Sequence, residues 1–186
     1  ILRDWIAAGV SLNLESPQDF ENFVTRDFHI QSRRYIKLLE VSAQYTAGWE
    51  FVFFNAKNDF TLQLLLAMAV SETTDDDELF RQKVELVTKF VDLMVARRMA
   101  NFKRRGYSMM YRLMFNLAKS LRGKSLDEIQ SILSERSENL EESFDALKNF
   151  ALTNMNKPDV YYLLSRITAW LDDDKSGRYF KGGTAS

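Results

Sequence analysis

The sequence predicts an all-α fold, an irregular bundle of about seven to nine helices, on three observations. Only two prolines and seven glycines punctuate 186 residues, too few for the turns of a β sandwich. Apolar residues recur at three- and four-residue spacing along most of the chain. Several of those runs open on a serine or aspartate placed to cap a helix. Fourteen phenylalanines and seven methionines, in a chain that is 46% hydrophobic, supply the core. Residues 1–58 read as an N-terminal helical segment packing on the bundle, 59–173 as the main bundle, and 174–186 as a flexible polar tail.

Taken in order, Ile1 to Ala8 resembles the end of a preceding helix. Ser16 is then an N-cap, with Pro17 at the first helical position, where its missing N–H does no harm. Phe20, Phe23, Val24 and Phe28 follow at helical spacing, and Tyr35, Leu38, Leu39, Ser42 and Tyr45 continue the stripe. The pattern blurs between His29 and Arg34, which leaves open one helix or two. A short helix is expected from Gly48 through Phe54. Asn55 to Asp59 reads as a turn, since Asn and Asp bond their own local backbone, and Asn58 or Asp59 would cap a buried helix over Phe60 to Val70.

Asp75, Asp76 and Asp77 precede the clearest helix, Glu78 to about Arg104. Its inward stripe is Phe80, Val84, Val87, Val91 and Met94, widened by Leu86, Phe90 and Leu93. Arg81, Glu85, Lys89 and Asp92 face outward, with Glu85 and Lys89 a four-apart pair. Gly106 breaks this helix. The next stripe is Tyr107, Met110, Tyr111, Met114, Leu117, Ala118 and Leu121, ending before Gly123. Ser125 and Glu128 form a capping box for a short helix that buries Leu126, Ile129, Ile132 and Leu133. A helix from about Glu141 to Leu152 comes next, then a last one after Pro158 with Val160, Leu163, Leu164, Ile167, Trp170 and Leu171 inward. Asp172 onward is polar and rich in glycine, and the helix is expected to stop there.

Composition narrows function more by exclusion than by assignment. Net charge is −1, so no bulk charge draws the chain to nucleic acid or membrane. The longest apolar stretch, Leu62 to Val70, is about half the length of a bilayer span, so no membrane partner is expected. Absence of cysteine excludes a disulfide framework and fits a reducing cytoplasm. A start at Ile1 rather than Met reads as a piece of a longer protein. His29 is the single histidine, without the partners a nucleophilic triad or an HNH-type nuclease requires, and reads as a surface or core-edge residue. The aspartate runs at 75–77 and 172–174 lack the alternating ligands and glycine of a calcium loop. No glycine-rich phosphate loop occurs. No catalytic, cofactor or metal residue is assigned.

One block stands out. From Arg97 to Lys124 the chain carries Arg97, Arg98, Lys103, Arg104, Arg105, Arg112, Lys119, Arg122 and Lys124, and no acid. An acidic block follows: Asp127, Glu128, Glu135, Glu138, Glu141, Glu142 and Asp145. Two readings are open. Lys103, Arg104, Arg105, Arg112, Lys119, Arg122 and Lys124 contact DNA phosphates, or the basic and acidic helices lie side by side and satisfy each other. Arg97 and Arg98 sit among apolar residues, so at least one pairs internally. Met94, Met99, Met109, Met110 and Met114 form either core or an adaptable groove for a partner helix.

Several segments bear a resemblance. Asn55 to Leu66 (NAKNDFTLQLLL) resembles a segment of the GmrSD-type restriction endonucleases, also described as domain-of-unknown-function families 262 and 1524. Val95 to Phe102 (VARRMANF), Tyr107 to Tyr111 (YSMMY) and Leu121 to Ser125 (LRGKS) look like the family's next helices in order. Tyr162 to Leu171 (YLLSRITAWL) is similar to the helix just before the nuclease motif. The match spans most of residues 50–171 and is looser before that. It implies a bacterial anti-phage protein with an N-terminal nucleotide-handling, DNA-sensing domain and a C-terminal HNH-type nuclease domain. The N-terminal glutamine-arginine signatures and the histidine nuclease motif are not in this sequence, so no catalytic residue carries over. The resemblance therefore implies a helical connector between the active domains, with those domains and weakly bound duplex DNA as partners. Two other classes are a stand-alone protein-interaction module, using Met109, Met110 and Tyr111, and a helical enzyme built on clustered carboxylates.

Overall fold

A computed structural model describes residues 16–103, 106–149, 151–153 and 156–176; the side chains of residue 170 and residues 172–176 lie outside that description. Among the described residues there are eight α-helices and no strand, the all-α bundle that the spacing predicts. The segment 1–8 and the tail beyond residue 176 lie outside the described residues.

Ser16 caps α1 (Pro17–Asn22) reciprocally: the Asp19 amide donates to Ser16 Oγ at 3.2 Å, and the Ser16 amide donates to Asp19 Oδ2 at 2.8 Å. Helical backbone continues through a π-helical stretch, Phe23–Phe28, into α2 (His29–Ala43). Bonding to the fifth residue widens the turns, which rotates later side chains onto another face. That rotation accounts for the blurred stripe. Leu38 and Val41 are buried as a pair, whereas Phe20, Val24, Phe28, Tyr35 and Leu39, expected on the apolar stripe, are exposed.

Helix α3 (Glu50–Lys57) runs through Asn55, Ala56 and Lys57, which the sequence assigns to a turn. Asn55 is fully buried, and its Nδ2 donates to the Thr88 carbonyl at 2.9 Å. This tertiary bond outweighs the residue's local turn preference. The chain turns instead at Asn58 and Asp59, the latter at φ 56°. Helix α4 (Gln63–Ala69) starts later than expected, at a Leu62 N-cap without a side-chain cap bond, so neither Asn58 nor Asp59 caps it.

Helix α5 (Asp77–Ala100) carries the expected stripe: Phe80, Val84, Val87, Val91 and Met94 are all buried. Asp76 Oδ1 accepts the Leu79 amide at 2.7 Å. Two assignments on its outer side change. Glu85 pairs with Arg81 at 3.2 Å, and Asp92 faces α8. Helix α6 (Tyr107–Leu121) begins after Gly106 and buries Met110, Met114, Leu117, Ala118 and Leu121. Gly123, at φ 71°, turns the chain into α7 (Leu126–Glu138), whose Ser125–Glu128 capping box forms as expected and whose Ile129 and Leu133 are buried. The helix expected over Glu141–Leu152 is replaced by a short 3₁₀ turn, Phe144–Asn149. Glu142 leaves helical geometry to pair with Arg98.

Helix α8 (Lys157–Ser176) runs past Asp172, beyond the expected stop. Its contact face also differs. Leu164, Ile167 and Leu171 are exposed, while Tyr162 and Leu163 pack on the core. Tyr162 Oη donates to Asp92 Oδ1 at 2.6 Å, and Arg166 Nη2 donates to Asp92 Oδ2 at 2.8 Å. The Arg166 guanidinium lies 3.9 Å from the Phe54 ring centroid. Burial first, then the Asp92 charge, push the Tyr162 phenol far above its usual pKa, so the hydroxyl stays protonated and keeps donating.

Two apolar clusters form among the described residues. One joins Leu66, Val70, Val91, Met94, Met99, Met114, Leu117, Leu121 and Ile129 across α4, α5, α6 and α7. The other joins Leu38, Val41, Val52, Ala67, Phe80 and Val84 across α2, α3, α4 and the start of α5. Beside the second, polar groups secure the α4–α5 loop. Arg34 Nη1 donates to Ser71 Oγ at 2.9 Å and to the Glu72 carbonyl at 2.5 Å; Nη2 donates to the Asp75 carbonyl at 2.6 Å. Lys83 Nζ donates to both Asp75 oxygens at 2.8 and 2.9 Å, with the two side chains only 4% and 5% exposed.

Losing one partner of that pair leaves an uncompensated buried charge. Lys83→Ala is expected to lower unfolding free energy by about 3–5 kcal/mol. The double change Lys83→Met with Asp75→Leu recovers most of it, measured by urea denaturation. A single variant within about 0.5 kcal/mol of the parent refutes the assignment.

The Glu128 carboxylate accepts from Lys124 Nζ and from the Ser125 amide, which hold its pKa down to about 2. A depressed carboxylate stabilises the fold above its unfolded value of about 4.3, and the contribution vanishes as pH falls through the folded one. The thermal midpoint of the parent should therefore exceed that of Glu128→Gln at about pH 6, with the gap closing between about pH 4 and 2. A gap independent of pH assigns the difference to something other than this charge.

Candidate nucleic-acid interface

The basic block divides once it folds. Arg97 Nη1 donates to the Ser137 carbonyl at 2.9 Å, and Arg98 Nη1 pairs with Glu142 at 2.8 Å. These two arginines hold the last turn of α7 and the segment after it against the end of α5, the internal pairing expected of at least one of them. Lys124 pairs with Glu128 at 2.8 Å on the surface. Lys103, Arg112, Lys119 and Arg122 are exposed. Arg104 and Arg105 lie outside the described residues.

Two of these cations, Arg112 and Lys119, lie on α6, a helix without a single acid, and Arg122 follows as its C-cap residue. Its buried stripe is built from Met110, Met114, Leu117, Ala118 and Leu121, which fixes what the opposite side presents. The fourfold spacing Tyr107, Tyr111, Phe115 and Lys119 advances about 40° per step around the axis. Successive side chains along such a row are neighbours. Tyr107 and Tyr111 stack with centroids 5.5 Å apart and planes 29° apart; Tyr111 and Phe115 follow at 5.8 Å and 15°. Lys119 Nζ closes the row 4.6 Å from the Phe115 centroid. The rings are 61%, 43% and 38% exposed. Arg112 stands three residues before Phe115 on the helix and so borders the row, while Arg122 lies just past the helix end in extended backbone.

The sequence placed Tyr107 and Tyr111 on the buried stripe, and the structure turns them outward. The aromatic row was missed as a surface feature, although its four-residue spacing ending on a lysine was visible. Met94, Met99, Met110 and Met114 are core, whereas Met109 is exposed. The interaction surface expected from Met109, Met110 and Tyr111 therefore loses Met110.

His29 is exposed, at the start of α2. Asp75 is taken by Lys83 and the Glu72 amide, and Asp76 by its cap. The side chains of Asp172, Asp173 and Asp174 lie outside the described residues. Among the described residues no group of three or more His, Asp or Glu could hold a metal ion, and no helix is long and apolar enough to cross a membrane. Comparison of the chain with protein-family models, with curated proteins and with solved structures gave no match.

Neighbouring residues of α6 thus serve different ends. Met110→Ala is expected to destabilise by about 2–5 kcal/mol, since it empties a core position that is 1% exposed. Tyr111→Ala removes only surface stacking and should cost about 1 kcal/mol or less. Denaturant midpoints of the two variants decide this, and equal losses would place Tyr111 in the core.

Proposed function

We propose that this chain is the helical connector of a GmrSD-type restriction endonuclease, a bacterial cytoplasmic anti-phage protein, and that α6 lays its basic face on DNA backbone. The connector holds an NTPase-like, DNA-sensing domain and an HNH-type nuclease domain in a defined relation and leaves the chemistry to them. Support for this role comes from the resemblance across residues 50–171. A packed all-α body suits it physically, because such bodies move as units between discrete arrangements.

The observation that carries the DNA contact is the acid-free α6 with Arg112 and Lys119 exposed on it and Arg122 exposed at its C-cap. Exposed cations that neutralise phosphates release counterions on contact. Arg97 and Arg98 take no part, being committed to Ser137 and Glu142. The competing reading, a protein-interaction module without a nucleic-acid role, draws on the exposed Met109 and Leu113 on the other flank of α6.

The expected outcome is weak binding of duplex DNA without sequence preference. With three phosphates neutralised, log K should fall against log salt with a slope of about −2.7, or about 40-fold between 50 and 200 mM salt. Replacing Arg112, Lys119 and Arg122 together by alanine should abolish it in fluorescence anisotropy. Absence of binding at low salt removes the DNA contact and favours the interaction module.

A further inference from the structure

We propose that the α6 face is built for an unpaired strand of nucleic acid, whose bases stack on the Tyr107–Tyr111–Phe115 row while Arg112, Lys119 and Arg122 hold its phosphates; this rests on the polyanion-binding reading above and names the ligand class.

The cations alone do not distinguish a duplex from a single strand. The rings do. In a duplex the base faces are already stacked on one another, and a helix lying on the backbone meets phosphate and sugar. Exposed aromatic rings between the cations would then gain nothing from contact. An unpaired strand offers base faces, and stacking on aromatic side chains is the usual way proteins hold one without reading its sequence.

The geometry of the row fits that use. Its planes lie 29° and 15° apart, close to parallel, so a base can extend the stack at its open end without the rings reorienting. Lys119 covers one end, beside Phe115, and Tyr107 forms the other end, 61% exposed. The fold does not need these rings, because α6 is anchored by Met110, Met114, Leu117 and Leu121 on its far side. From Tyr107 to Lys119 the row spans about 18 Å of helix. That is room for about five phosphate spacings of a strand at most, so the site is short. No acid occurs in the sequence between Arg97 and Lys124, so α6 itself carries no charge that repels an anion.

The test compares three fluorescein-labelled probes on the full chain: an oligothymidylate of about 16 nucleotides, an abasic oligonucleotide of equal length, and a duplex of equal length. Oligothymidylate should bind at least about tenfold tighter than the abasic chain, which offers the same phosphates without bases. Its salt slope should be near −2, for three phosphates of a single strand. Tyr107→Ala and Tyr111→Ala should each lower oligothymidylate affinity about tenfold and leave the abasic chain within about twofold. Tyr107→Phe keeps the ring and should keep the affinity. Both alanine variants alter exposed residues, and unchanged thermal midpoints confirm that they fold. Equal affinity for oligothymidylate and abasic chain, or a duplex bound more tightly than either, overturns the stacking proposal while the polyanion reading stands. Failure of all three probes to bind overturns both.

Discussion

Helix α5 is the constraint from which the other positions follow. Eleven of its twenty-four residues are buried, more than any neighbour packed on one side could cover. Its first turns give Phe80 and Val84 to the cluster shared with α2 and α3; later turns give Val87 through Met99 to the cluster shared with α4, α6 and α7. Helix α4 lies between the two, with Ala67 on one side and Leu66 and Val70 on the other. Each fully buried aliphatic side chain contributes about 1.5–3 kcal/mol, so two clusters sharing one helix bind the body together strongly. Burial at this depth also encloses polar backbone. The carbonyls of Glu72 and Asp75 find the Arg34 guanidinium, and the Thr88 carbonyl accepts from Asn55. Without such donors, buried carbonyls would cost the fold much of what the apolar contacts contribute.

That arrangement frees one face of α6 from structural duty. Methionines at 110 and 114 and leucines at 117 and 121 fill the space toward α4 within the shared core, and flexible methionine side chains adapt to irregular gaps between helices. Nothing on the outer side is then needed to hold the helix down. A surface row of three rings with cations beside it is therefore not a by-product of packing. Stacked against one another the rings bury only part of their area, and water meets the remainder.

How much of this was readable in the residues depends on what anchors each element. The α5 stripe was legible because apolar packing alone fixes it over six turns, and hydropathy reports apolar packing. The Ser125 box was legible because its two bonds are local. Asn55 was not, because its partner is the Thr88 carbonyl thirty-three residues away, which no local rule sees. Helix α8 was placed correctly but turned wrongly: Leu164, Ile167 and Leu171 make a plausible stripe, yet the anchors are Tyr162 and Arg166, polar side chains meeting Asp92. At the candidate site the cations were visible as a run. Arg97 and Arg98 differ from Arg112 and Lys119 only in where the chain takes them. Tyr107 and Tyr111 have apolar bodies and polar tips, so the stripe pattern could not say which side they face.

Helix α8 is joined to the body differently from the rest. Helices α4 to α7 share a continuous apolar core, whereas α8 contributes Leu163 and the ring of Tyr162 to its edge. Its position is set by one carboxylate that receives both a phenol and a guanidinium, with that guanidinium stacked on Phe54 of α3. Apolar contacts tolerate sliding; hydrogen bonds to a single Asp92 do not, because they weaken steeply with distance and angle. The phenol stays protonated far above the usual range, so it keeps donating to that carboxylate. The α8 end of the chain is thereby held to α5 at one defined docking position, through few groups rather than through area. Of the two apolar clusters, α8 touches one, through Tyr162 and Leu163 at its edge.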